Sequence, residues 1–149
     1  MPGRSVSSIL HRRRSGPDLV SARPDETVCN AAKCMAENGC GSILIIEDGR
    51  LLGIFTERDL LVRVVAAGLD LTTTRLRDVM TADPEFIGAE EPVEKAVRRM
   101  DEGAFRHLVV VDSEQRVLGV VSTRDIPALT MGRMAKELDQ RHRLTERVW

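Results

Sequence analysis

The sequence carries no excess of charge of either sign. Lys and Arg total 22 and Asp and Glu 23, for a formal net charge of −1. That balance gives no support to nucleic-acid binding, which draws on a basic surplus. The run Arg12-Arg13-Arg14 has no wider basic face around it and reads as a solvated helix end. Long apolar runs are missing too. None approaches the ~20 residues that a membrane helix needs, and the first residues lack the apolar stretch of a signal peptide. The expectation is a soluble cytoplasmic protein with neither nucleic acid nor membrane as partner. Cysteine is sparse and odd in number, at Cys29, Cys34 and Cys40, which argues for reduced thiols. Cys29 and Cys34 stand five apart on a predicted helix and do not share a face, so no metal site is expected. No Walker sequence, metal cluster or Ser-His-Asp set is visible, and no enzymatic activity is expected.

What the chain does have is a repeat. Residues 53 to 60 read Gly-Ile-Phe-Thr-Glu-Arg-Asp-Leu, and residues 119 to 126 read Gly-Val-Val-Ser-Thr-Arg-Asp-Ile. The match extends upstream. Val28, Ala31, Ala32, Met35 and Ala36 fall at helical spacing, as do Val93, Ala96, Val97 and Met100. Each helix is followed by an apolar run, Ser42 to Ile46 or His107 to Val111. A polar turn and a second short strand come next, Leu51 to Phe55 or Val117 to Val121. Asp48-Gly49 between two such runs is a hairpin signal. A helix then starts at Thr56 with Leu60, Leu61, Val64 and Val65 as its apolar stripe. In the second copy Pro127 imposes an irregular first turn after Ser122.

Each copy thus reads strand, helix, strand, strand, helix, with short leading strands at Leu19 to Ala22 and Glu85 to Ile87. The fold class is α+β. Two units of ~60 residues are each marginal alone, so their sheets are expected to bury faces on each other. The predicted organisation is an N-terminal helical extension (1–18), a first repeat (19–70), a linker (71–84), a second repeat (85–130) and a C-terminal helical extension (131–149). Both extensions are expected to pack on the core or on another subunit.

Thr56-x-x-Asp59 and Ser122-x-x-Asp125 match the capping-box pattern. Taken singly, each reads as a helix cap that satisfies free backbone N–H groups. The context supports a second reading. A strand that leaves Gly53 or Gly119 and runs into a helix N-terminus presents backbone donors and a positive dipole end to an anion. A hydroxyl there can donate to phosphate, the aspartate one turn on can accept from two ribose hydroxyls, and Arg58 or Arg124 can screen phosphate charge. Duplication of the whole set favours the binding reading.

Those two segments, with Phe105-Arg106-His107-Leu108-Val109 and Val79-Met80-Thr81, resemble a CBS-domain pair, or Bateman module, over about residues 17 to 130. The resemblance implies two βαββα units related by a pseudo-twofold axis, with helices on small three-stranded mixed sheets. It implies two clefts for adenosine compounds such as AMP, ADP, ATP, NAD or S-adenosylmethionine. One cleft would set Thr56, Arg58 and Asp59 opposite Thr81, Glu85, Ile87, Arg106 and His107. The other would set Ser122, Arg124 and Asp125 opposite Val20, Ser21, Cys40, Gly41 and Ser42. Ile54 and Val120 would lie against the base. The first cleft, richer in cations, would prefer more phosphate. The resemblance further implies a regulatory sensor with no catalytic cofactor, a homodimer and a regulated protein partner; the alternative is a scaffold dimer with empty clefts.

Overall fold

The computed structural model describes residues 3–11, 19–104 and 106–126. The expected C-terminal extension, Pro127 and Phe105 lie outside the described residues.

The first half opens with β1 (Ser21–Ala22) and α2 (Val28–Asn38), the helix that follows α1 (Val6–His11) in the chain. Thr27 caps α2, its Oγ1 accepting from Asn30 N at 3.2 Å. Gly39, at φ 62°, ends the helix in the left-handed conformation that glycine adopts without penalty. Val28, Ala31 and Met35 form the buried stripe, while Ala36 is exposed. β2 (Ser42–Glu47) and β3 (Arg50–Thr56) form an antiparallel hairpin. Its two turn residues, Asp48 and Gly49, both have positive φ, which suits the twist of a two-residue hairpin. The chain then enters α3 (Glu57–Asp59), which continues as a π-helix over Leu60–Val65.

The predicted stripe on this last helix is only half correct. Val64 is fully buried and Leu60 packs on the core. Leu61 and Val65 are instead 61% and 56% exposed. The core takes the Leu60–Val64 edge of the helix, and the π turns carry Leu61 and Val65 outward.

The predicted linker is not a plain connection. It folds as α4 (Leu76–Val79) and β4 (Thr81–Ala82), and β4 adds to the edge of the first sheet beside β3. The first sheet therefore has four strands in the order β1-β2-β3-β4, one more than expected. The second is the expected three-stranded sheet, formed by β5 (Phe86–Gly88), β6 (His107–Val111) and β7 (Val117–Ser122). In both sheets the leading strand is parallel and the hairpin antiparallel. α5 (Val93–Gly103) covers the second sheet with Val93, Ala96 and Met100. The irregular turn expected after Ser122 is a 3-10 turn at Thr123–Asp125.

Three apolar clusters make up the core. One lies in each half, between the helices and their own sheet. The third joins the two sheets, with Leu44 and Ile54 from the first packed on Val109 and Val111 from the second. The N-terminal segment belongs to the core of the second half. Val6 and Ile9 are buried there, Val6 N donates to Glu91 O at 2.8 Å, and Val93 N donates to Arg4 O at 2.8 Å. Residues 74–80 serve the first half in the same way: Val28 N donates to Thr74 O and Leu76 N to Glu26 O, both at 3.0 Å. Val6 and Ile9 thus correspond to Leu76 and Val79, 70 residues later.

Candidate functional site

Both capping boxes are present. Asp59 N donates to Thr56 Oγ1 and Thr56 N donates to Asp59 Oδ2, each at 3.1 Å. In the second half Ser122 N donates to Asp125 Oδ2 at 2.8 Å, and Arg124 N donates to Ser122 Oγ at 3.2 Å. Both hydroxyl residues end a strand in extended conformation, which aims each side chain at the turn that follows.

The two helix starts meet. Glu57 N donates to Gly41 O at 3.1 Å and Thr123 N to Arg106 O at 3.2 Å, so each start is tied to the strand entry of its own half. Ser42 pairs with Thr56, and His107 with Ser122, in the sheet registers. Across the junction Arg124 Nη2 lies 3.9 Å from Glu57 Oε1. Gly41 sits beneath this contact: a Cβ there would stand 2.9 Å from Glu57 Oε1 and 3.2 Å from His107 Nε2. Gly41, expected at one cleft, and His107, expected at the other, are therefore close neighbours. These residues converge at the junction of the halves, because each strand entry lies beside its own helix start.

Other expected residues are placed as follows. Thr81 is brought to Asp59, its Oγ1 donating at 3.2 Å to Oδ1 and 3.3 Å to Oδ2. Arg58 is exposed and donates through Nη1 to Ala104 O at 3.2 Å. Ile54 and Val120 lie in or against the cluster between the sheets, on the same face in each half. Cys40 is half-buried, with Sγ donating to Asn38 O at 3.4 Å. Two expectations are corrected by strand alternation. Ile87 is buried in the core of the second half, and Val20 packs on that of the first. Their neighbours Phe86 and Ser21, both exposed, hold the opposite face. Glu85 is ion-paired with Arg99 at 2.7 Å.

Sequence reasoning missed Arg63 and Glu57. Arg63 Nε lies 3.4 Å from Asp59 Oδ1, and its Nη1 donates to Met80 O at 2.9 Å. The four-residue interval from Asp59 to Arg63 was the available signal. Glu57 had none, since its partner is on the other half. A shallow cavity of about 790 Å³ lies at the other end of β3, between Arg50, Leu51, Arg116 and Val117. None of the expected ligand residues lines it. Among the described residues no group of His, Cys, Asp and Glu has the arrangement of a metal site, and no helix is long and apolar enough to cross a membrane.

The CBS domain family model matches residues 6–66 and 76–127. The chain belongs to the CBS-domain family. Both matched stretches begin at segments equivalent in the fold, Val6 and Leu76. The meiotically up-regulated gene 70 protein of Schizosaccharomyces pombe is 39% identical over 120 residues, which cover 80% of this chain and 16% of that protein. The chain thus spans about a sixth of the length of that relative. Among solved structures, a putative signal-transduction protein with CBS domains from Burkholderia ambifaria has a TM-score of 0.77 at 30% identity, over 82% of this chain and 90% of that one. A CBS-domain protein from Pyrobaculum aerophilum, complexed with AMP, has a TM-score of 0.74 at 25% identity, over 89% of this chain and 99% of that one. The tandem-pair architecture of these neighbours is the one described above.

Proposed function

We propose that this CBS pair is a non-catalytic regulatory module that binds an adenine nucleotide where the two helix starts converge. The likeness to the AMP-complexed protein, which this chain covers over 99% of its length, carries the reading. The chemistry fits it. Thr56 and Ser122 offer hydroxyls, Asp59 and Asp125 carboxylates, and Arg58 and Arg124 positive charge, at helix starts that favour anions. Ser21, Cys40, Gly41 and Ser42 remain proposed contacts on one side, and Thr81, Arg106 and His107 on the other. AMP is the proposed ligand, with ADP, ATP, NAD and S-adenosylmethionine as rivals for the same place.

We further propose a homodimer in the cytoplasm that acts on a protein partner. The exposed edge Leu61, Val62 and Val65 supports association. A ligand alters such an assembly only by binding its two arrangements unequally.

A second reading keeps the fold and the dimer but leaves the clefts empty. The observation in its favour is that both aspartates accept hydrogen bonds from their own helix starts. Calorimetric titration with the five adenosine compounds separates the two. Heat that saturates with any of them supports the sensor; none at millimolar concentration supports the scaffold.

A further inference from the structure

We infer that Arg58 ties the helix start of the first half to the end of α5 in the second, and that a ligand phosphate competes with α5 for this arginine. This rests on the binding reading above and adds a regulatory contact to it.

α5 ends in a way that its own sequence supports poorly. Its last turn holds the exposed acids Asp101 and Glu102 and no basic residue. The carbonyls at a helix C-terminus form the negative end of its dipole and favour a cation there. α2 shows what α5 lacks. Its end is closed by Asn38, whose Nδ2 donates to Cys34 O at 2.8 Å, and by Gly39, at φ 62°. The corresponding residues of the repeat are Gly103, with no side chain to donate, and Ala104, at φ 54°. The missing donor comes from the other half. Arg58 Nη1 donates to Ala104 O at 3.2 Å, and it brings the positive charge that the last turn of α5 does not have. Arg124, the counterpart of Arg58, is turned to Glu57 at 3.9 Å. The repeat thus uses its two arginines differently.

Arg58 stands between Thr56 and Asp59, where the binding reading puts a phosphate. A guanidinium meets a phosphate through two charge-assisted hydrogen bonds, each stronger than a bond to a neutral carbonyl. A phosphate at this helix start therefore draws Arg58 from Ala104 O and leaves Asp101 and Glu102 beside an uncapped end. Adenosine, which has no phosphate, leaves the contact alone. The chain enters β6, the central strand of the second sheet, directly after this turn. The state of Arg58 is thus felt next to the strand around which the second half is built.

The experiment follows the amides of α5 by NMR hydrogen exchange in the full chain. Without nucleotide, wild type is compared with Arg58→Gln and Arg58→Lys. Arg58→Gln is expected to speed exchange at Asp101 to Ala104 by about two- to fivefold, the range for one cation at an exposed helix end. Ala96 and Val97, in the middle of the helix, should not change. Arg58→Lys keeps the charge and is expected to recover most of the protection. Equal exchange in wild type and Arg58→Gln overturns the tie, as does a loss of the same size in Arg58→Lys. Wild type is then saturated with AMP and, separately, with adenosine. AMP is expected to speed exchange at the same amides by a similar factor, and adenosine to leave them as they were. Bound AMP with an unchanged last turn, or an equal response to adenosine, overturns the competition. If neither compound shifts any resonance of Thr56 to Asp59 or Ser122 to Asp125, the nucleotide reading fails and the competition with it. The comparison without nucleotide still decides, in that event, whether Arg58 ties the halves.

Discussion

Leu10 lies directly over Gly119, as Met80 lies over Gly53. A Cβ on Gly119 would stand 2.9 Å from Leu10 Cδ1, and one on Gly53 would stand 2.8 Å from Met80 Sδ. The same lid thus covers the same strand in both halves, although one lid comes from the start of the chain and the other from its middle.

The two glycines nevertheless differ in what else they face. Gly53 also meets the backbone carbonyl of Thr81 at 2.7 Å, which cannot swing away, whereas the three atoms nearest to a Cβ on Gly119 all belong to the flexible Leu10 side chain. Gly53→Ala is expected to cost about 1–3 kcal/mol, the usual range for overpacking, and Gly119→Ala less. Urea midpoints of the two variants, compared at equal slope, check the order; a larger loss at Gly119 contradicts it.

Ala104 holds the position at which Gly39 ends the first helix, and it has φ 54°. The left-handed conformation costs a residue with a Cβ roughly 1–2 kcal/mol. Ala104→Gly is expected to recover about 1 kcal/mol of this, reduced by the added freedom of the unfolded chain. A rise in melting temperature of a few degrees is the readout, and no rise or a fall refutes it.

Glu57 sets a negative charge beside Arg124, with both side chains largely exposed. Glu57→Gln is expected to favour ATP over AMP by about two- to fivefold, since an exposed pair is worth at most ~1 kcal/mol. The change should shrink as salt rises. Titration of both nucleotides at two ionic strengths tests it. An unchanged preference would place Arg124 away from the phosphates.

Acid sensitivity is expected at the second hairpin. The backbone N–H of Arg116 holds the Asp112 carboxyl below the ordinary carboxylate range, assisted by the Glu114 N–H and the Arg116 side chain and opposed by desolvation. A carboxyl depressed in the folded state stabilises the fold above its ordinary value, near 3.9, and that contribution fades as pH falls through the lower folded value. Asp112→Asn should therefore lose less stability than wild type between pH 5 and 3. Unfolding curves at the two pH values decide, and equal losses remove Asp112 from the account.

Period and spacing made the helices and both hairpins readable, since the Val28–Met35 stripe and the Asp48-Gly49 turn are local signals. The capping boxes were equally local. What stayed hidden depends on distance in the chain. The Val6–Leu10 segment matches Leu76–Met80 only in apolar spacing, at a shift of 70 rather than 65 or 66, so it read as an extension outside the repeat. The cleft walls failed at Ile87 and Val20 for another reason. In strands of two or three residues, alternation shows that neighbours oppose each other but not which of them faces inward.

The position of residues 4–10 has a consequence for synthesis on the ribosome. The first half has all of its parts, including its lid, once residue 82 has emerged. The second half needs a lid that precedes the first half in the chain, and that lid has nothing to cover until the strand ending at Ser122 appears. Residues 4–10 thus precede the first half in the chain yet find their place only after it, at the seam that closes the second half.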